Sequence, residues 1–278
     1  LQTLPHTSGP DGAGLPSTDL PALPKARLFD LDMSAVTFDA AVEALVRAAE
    51  RRDGRARVVV TPNVDHIVRL DAAPELRARY ATADFIFADG MPVVWASRLL
   101  GRPLPQRVTG ADLFVALCKE AERRNWRIML LGGMPGSEAD LTARFARYFP
   151  ALRVDIVCPS MRFEPLGPEG EAFAQRVRES APDVVFACVG LPKQENWALH
   201  YASSLPGGIV LCVGAAMEFA IGLQRRAPAV FQRIGMEWVW RLLTNPRRLW
   251  RRYLVNDPWF AMLCWKQWRA LRTGRGSS

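Results

Sequence analysis

What this chain lacks most is uncharged apolar length. Nowhere do about eighteen apolar residues run without a charge, so no membrane-spanning helix is expected. The uncharged stretch 203–217 is broken by Pro206-Gly207-Gly208 and reads as a loop, a strand and a helix start. Histidine is scarce: His6, His66 and His200 are scattered, and metal chemistry is not expected. The five cysteines (Cys118, Cys158, Cys188, Cys212, Cys264) are odd in number and form no C-x-x-C pair. Most of them sit in apolar runs, which reads as reduced thiols in a reducing compartment. There is no G-x-G-x-x-G fingerprint, no Walker loop and no Gly-x-Ser-x-Gly elbow. The first residues are rich in Pro, Gly, Ser and Thr but lack the basic and apolar regions of a signal peptide. They are expected to form a disordered leader, residues 1–24.

Positive charge, by contrast, is concentrated in one place. From Arg225 onward there are twelve Lys/Arg against two acids, a local net charge of +10 in a chain whose total is +8. Six of the nine tryptophans fall in the same stretch: Trp238, Trp240, Trp250, Trp259, Trp265 and Trp268. Arginine beside tryptophan on helical spacing suits an anionic membrane surface, where head groups meet acyl chains. A near-neutral body with such a tail points to a soluble catalyst that works at a membrane.

After the leader, short apolar strands alternate with amphipathic helices. Strands are expected at 57–60, 84–88, 127–131, 153–157, 184–188 and 209–213. Helices are expected at 38–52, from Pro92 to about 100, and at 112–124, 137–148, 169–180, 192–203 and 215–223. Continuous apolar strands between helices predict an α/β fold with a Rossmann-like parallel sheet. Ala227-Pro228 breaks the pattern, and Asn245-Pro246 and Asp257-Pro258 divide the tail into short helices near 229–244, 246–255 and 258–272. The expected organisation is therefore a leader, a core at 25–224 and a helical, basic, Trp-rich, membrane-associating appendage at 225–278.

Ligands of open α/β sheets bind at the carboxyl ends of the strands. There the sequence places Thr61-Pro62-Asn63, whose polar side chains either contact sugar hydroxyls or cap the next helix. Asp89-Gly90-Met91-Pro92 follows an apolar strand, so Asp89 is either a general base facing a cleft or a helix cap. Arg107-Val108-Thr109-Gly110-Ala111-Asp112 combines a cation, a glycine and a helix start, which can receive phosphate. Leu131-Gly132-Gly133, Val189-Gly190 before Gln194, and Val213-Gly214 are three strand–glycine–helix turns whose amides could approach a nucleotide diphosphate. Asp30-Leu31-Asp32 superficially matches a metal-binding D-x-D, but it sits early, with no helper acids nearby. In the tail, Arg247/Arg251 and Arg248/Arg252 are like-charged i,i+4 pairs, which an anionic partner would relieve.

Together these pieces resemble the bacterial WecG/TagA/CpsF glycosyltransferases. The matching segments also include Pro192-Lys193-Gln194-Glu195, Arg226-Ala227-Pro228, Gly235-Met236-Glu237-Trp238, Arg241-Leu242, Pro246-Arg247-Arg248 and Arg251-Arg252-Tyr253, covering about 26–253. The resemblance implies an inverting transfer without metal or other cofactor, from a UDP-sugar donor to a polyprenyl-diphosphate-linked saccharide. It implies a peripheral location at the cytoplasmic face of the inner membrane. It makes Asp89 the general base and puts Thr61, Asn63 and Gln194 in the substrate pocket. Arg226, Arg241 and Arg248 become the diphosphate-stabilising arginines of the appendage. The Ala- and Arg-rich composition puts UDP-glucose and exopolysaccharide assembly first, ahead of UDP-N-acetylmannosamine or its uronic acid in teichoic-acid or common-antigen assembly. A nucleic-acid-binding protein and a non-catalytic membrane scaffold are the other classes weighed. The ordered Thr-x-Asn, Asp-Gly and Lys-Gln-Glu pieces speak against both, so no nucleic-acid partner is expected. The sequence leaves the oligomeric state open.

Overall fold

The computed structural model describes residues 22–224, 227–228, 231, 236–244, 246–251 and 258–273. Nearly all of the expected leader lies outside them, as do parts of the expected tail helices.

The core is a six-stranded, wholly parallel sheet in the order β4-β3-β8-β7-β5-β6. Its strands are β3 (Arg57–Val60), β4 (Phe85–Ile86), β5 (Arg127–Leu131), β6 (Arg153–Val157), β7 (Val184–Ala187) and β8 (Ile209–Cys212). The six expected strands are all present, some shorter than expected. Alternate residues serve two helical layers, as a period of two requires. Val58, Val60, Met129, Leu131, Val185 and Val210 join one core cluster, while Val59, Ile128, Leu130, Val184, Phe186 and Leu211 join the other. This double-sided burial is why the strands read as unbroken apolar runs.

The second layer is built from α1 (Phe38–Ala49), α5 (Gly110–Arg124), α6 (Glu138–Tyr148) and α9 (Ala216–Ala220). The first contains α2 (Val64–Asp71), α4 (Met91–Leu99), α7 (Pro168–Ser180) and α8 (Lys193–Tyr201), joined by Tyr80 of α3 (Pro74–Tyr80). Local chemistry starts several of these helices. Thr37, Asn63 and Thr109 accept hydrogen bonds from helical amides at the starts of α1, α2 and α5, and Pro74 and Pro168 occupy first-turn positions of α3 and α7.

Two features were not foreseen. Helices α2 and α3 fill the connection from β3 to β4. An antiparallel hairpin, β1 (Lys25–Leu28) and β2 (Leu31–Ser34), precedes α1. Its turn residues Phe29 and Asp30 both have positive φ, 53° and 60°, with none of the Asn or Gly that normally marks such a turn. The Asp30-Leu31-Asp32 match therefore belongs to this hairpin, where Asp30 pairs with Arg77 at 3.1 Å and Asp32 with Arg27 at 3.3 Å.

The described part of the tail forms α10 (Glu237–Thr244), α11 (Pro246–Arg251) and α12 (Trp259–Arg272). One face of α12 lies on the core: Phe260 and Leu263 enter the first cluster, Phe260 meets the Phe29 ring at 5.1 Å, and Gln267 Oε1 accepts the Phe29 amide at 3.0 Å. The other face exposes Trp259, Met262 and Trp265, with Lys266 and Arg269 stacked over the two indoles. Among the described residues, no helix is long and apolar enough to cross a membrane.

Candidate active site

The carboxyl ends of β3, β4 and β8 meet at Gly110. Its amide donates to Asp89 Oδ2 at 3.2 Å. A β-carbon there would lie 2.9 Å from Thr61 Oγ1 and 3.1 Å from Val213 Cγ1, so only glycine fits without displacing a neighbour. Two further bonds fix the arrangement: Asp89 N to the Pro62 carbonyl at 3.0 Å, and Val108 N to the Ala88 carbonyl at 3.0 Å. Thr61, Asp89 and the loop carrying Arg107 are thereby held as one unit.

Asp89 does not cap α4, the helix that follows it in sequence. The N-cap of α4 is Gly90, at φ 128°, and no side chain caps that helix. The half-buried Asp89 carboxylate is directed instead to the first turn of α5. Asn63 does serve as a cap, its Oδ1 accepting the His66 amide at 3.2 Å. Thr61 is 4 % exposed, beneath Gly110.

Arg107, with a side chain 16 % exposed, lies 3.4 Å from Glu237 Oε2 and 3.9 Å from Asp112 Oδ2. The first contact joins the core to α10. Asp112 also accepts the Thr109 hydroxyl at 2.7 Å and returns its own amide to Thr109 Oγ1 at 3.1 Å, a reciprocal cap on α5.

The glycine turns differ from the sequence expectation in one respect: three of their amides are already committed inside the protein. Gly132 N donates to the Val157 carbonyl at 3.0 Å, and Gly190 N and Gly214 N both donate to Gln194 Oε1 at 3.0 Å. The need for glycine is conformational at Gly133, Gly190 and Gly214, where φ is 95°, 79° and 53°. At Gly132 it is steric, since a β-carbon would sit 2.7 Å from Cys188 Cβ. Gln194, which the resemblance puts in the substrate pocket, is buried and ties two turns together.

Beneath Gln194 lies a residue that the sequence reading quoted without giving it a role. Glu195 is fully buried, and its Oε1 accepts Gln194 Nε2 at 2.9 Å while its Oε2 has no partner among the described residues. Burial pushes this carboxyl up to about 7, with the Gln194 hydrogen bond acting in the opposite direction. The same apolar surroundings raise the Tyr80 hydroxyl well above its ordinary value. An acid directly after Gln194 on a helix buried against the sheet was the available signal.

Of the expected appendage arginines, Arg226 lies outside the described residues. Arg241 and Arg248 sit on α10 and α11, described as helical backbone only. The structure thus brings together Thr61, Asp89, Gly110, Arg107 and Asp112, and joins Gly190, Gly214 and Gln194 in a neighbouring unit.

Residues 26–274 match the model of the glycosyl transferase WecG/TagA/CpsF family. The chain is also 33 % identical over 196 residues to the N-acetylglucosaminyldiphosphoundecaprenol N-acetyl-beta-D-mannosaminyltransferase of Bacillus spizizenii, an alignment covering 70 % of this chain and 74 % of the relative. With a family match over nearly the whole described chain, on the α/β architecture that its strands predicted, this protein belongs to the WecG/TagA/CpsF glycosyltransferases.

Proposed function

We propose that the protein transfers an N-acetylmannosaminyl group from its UDP-sugar to an N-acetylglucosaminyl-diphosphate-polyprenol, with inversion and with Asp89 as the base. The donor assignment reverses the order drawn from composition. UDP-glucose has no support beyond that composition, whereas the Bacillus relative is named for the N-acetylmannosaminyl transfer.

The observation that carries the mechanism is the Asp89 carboxylate at the carboxyl edge of the sheet, held by the Gly110 amide of α5 at 3.2 Å rather than capping its own helix, α4. In the proposed step an acceptor hydroxyl gives its proton to Asp89 while its oxygen attacks the anomeric carbon. The bond from that carbon to the diphosphate oxygen breaks, and the nucleoside diphosphate leaves with the electron pair. A positioned base of this kind contributes ~10²–10⁴ in rate. Charge on the leaving group then requires cations. Arg226, Arg241 and Arg248 of the appendage supply them in this reading.

The basic tail is proposed to seat the enzyme peripherally on an anionic membrane, where its acceptor resides. Support comes from α12, whose outer face carries Trp259 and Trp265 beneath Lys266 and Arg269.

The deciding experiment presents the purified protein with an N-acetylglucosaminyl-diphosphate-lipid and a panel of UDP-sugars. Transfer from UDP-N-acetylmannosamine, with a β-linked product, is expected. Preference for UDP-glucose would overturn the donor assignment, and an α-linked product would overturn inversion of an α-linked donor.

A further inference from the structure

A cavity of about 640 Å³ opens between α4 and α5, in the size range of small-molecule sites. Its walls are largely hydrocarbon, from Phe38, Met91, Val94 and Val115. Its polar lining is dominated by cations: Arg107 at one side, with Arg98 and Lys119. The one acid in the lining, Asp112, is occupied by Thr109 and Arg107. Among the described residues neither Arg98 nor Lys119 has an ion-pair partner, and both are exposed. Gln106 Oε1 accepts the Phe38 amide at 3.0 Å. Along α4 the apolar stripe continues past the cavity to exposed Trp95 and Leu99.

We infer that this cavity holds the diphosphate and first isoprene units of the lipid-linked acceptor. The inference rests on the proposed acceptor and deepens it by assigning a place to its lipid arm. Three considerations support it. Guanidinium and ammonium groups over an aliphatic wall match a ligand that is both doubly charged and hydrocarbon. The loop carrying Arg107 is stitched to the strand end carrying Asp89, through Val108 N to the Ala88 carbonyl and Gly110 N to Asp89 Oδ2. A diphosphate at Arg107 would therefore leave its attached sugar close to Asp89. The Trp95–Leu99 stripe gives the rest of the lipid an apolar exit over the protein surface.

The test uses the full chain and titrates farnesyl diphosphate, inorganic diphosphate and farnesol, each with and without UDP. Farnesyl diphosphate is expected to bind at least about tenfold more tightly than either fragment, because both halves of the site contribute. It should bind alongside UDP rather than compete with it. The surface variant R98E/K119E should weaken it by about tenfold or more. Ala116→Phe, which narrows the cavity without changing charge, should weaken it too. Mutual exclusion with UDP would make this the donor site and overturn the inference. So would affinity no better than that of inorganic diphosphate, or insensitivity to both variants. A concentration-dependent dimer that excludes farnesyl diphosphate would make α4 a contact between copies and also overturn it. Sugar transfer is scored separately. A protein that binds farnesyl diphosphate as described but transfers no N-acetylmannosamine keeps the cavity and loses the donor assignment. One that transfers it with an unchanged KM for the lipid-linked acceptor in both variants loses the cavity.

Discussion

The Gly110 amide reaches Asp89 Oδ2 over 3.2 Å and across 21 residues of sequence. That bond aligns the proposed base. Asp89→Asn keeps the shape and an acceptor oxygen for Gly110 but removes the proton acceptor. Turnover should fall by ~10²–10⁴ while UDP-sugar binding persists, as measured by single-turnover kinetics and calorimetry. Near-normal turnover in this variant would remove Asp89 from the base role.

Gly110 itself is the sharper structural test. A methyl group there would crowd Thr61 Oγ1 at 2.9 Å and Val213 Cγ1 at 3.1 Å. Relief requires the first turn of α5 to move away from β3 and β8, carrying the Asp89 contact with it. Gly110→Ala should cost about 1–3 kcal/mol in urea unfolding and lower kcat more than it raises KM for the donor. Unchanged kcat with a lowered melting temperature would mean that the contact only packs the helix.

Much of this was legible in the sequence, and the gaps have physical causes. Strands buried on both faces write themselves as apolar runs, so β3, β5, β6, β7 and β8 were placed to within a residue. Asp89, Gly110 and Arg107 stood out because strand ends and helix starts have their own chemistry. The hairpin did not, because its turn uses Phe29 and Asp30 in the left-handed region and relies on Gln267 and Phe260 from the other end of the chain. No local pattern encodes that support. The glycine turns were located correctly, but their amides were not: which donor Gln194 takes depends on β7 and β8 lying side by side. Helices α2 and α3 were not placed, although Asn63 was weighed as a cap of the next helix and Pro74 marks a start.

The buried acid under Gln194 gives a pH signature. In the unfolded chain the Glu195 carboxyl titrates near its ordinary value of 4.5, and in the folded protein near 7. Between those values unfolding releases a proton, so stability falls as pH rises through the window and then levels off. The full loss is about 3 kcal/mol. Glu195→Gln keeps an acceptor for Gln194 Nε2 and does not titrate. Its melting temperature should therefore gain on the wild type from pH 5 to pH 8. Parallel melting curves across that range would show that Glu195 does not carry this titration.

The last helix separates anchoring from folding. Removing everything after Tyr253 deletes Phe260 and Leu263 from the core cluster together with the exposed Trp259 and Trp265. Loss of vesicle binding in that truncation would therefore be ambiguous. Phe260→Ala alone should cost about 3 kcal/mol, the lower end for a buried Phe, and leave vesicle sedimentation intact. Trp259→Gln with Trp265→Gln should do the reverse, because both rings are exposed and their one hydrogen bond to the core among the described residues, Trp259 Nε1 to Asp71 Oδ2, is long at 3.5 Å. The double variant should sediment several-fold less with anionic vesicles at low salt, and its melting temperature should stay within a degree or two of wild type, as expected for surface changes. Equal sedimentation of that variant and the wild type, at a salt concentration where the wild type binds, would place the membrane contact elsewhere on the molecule.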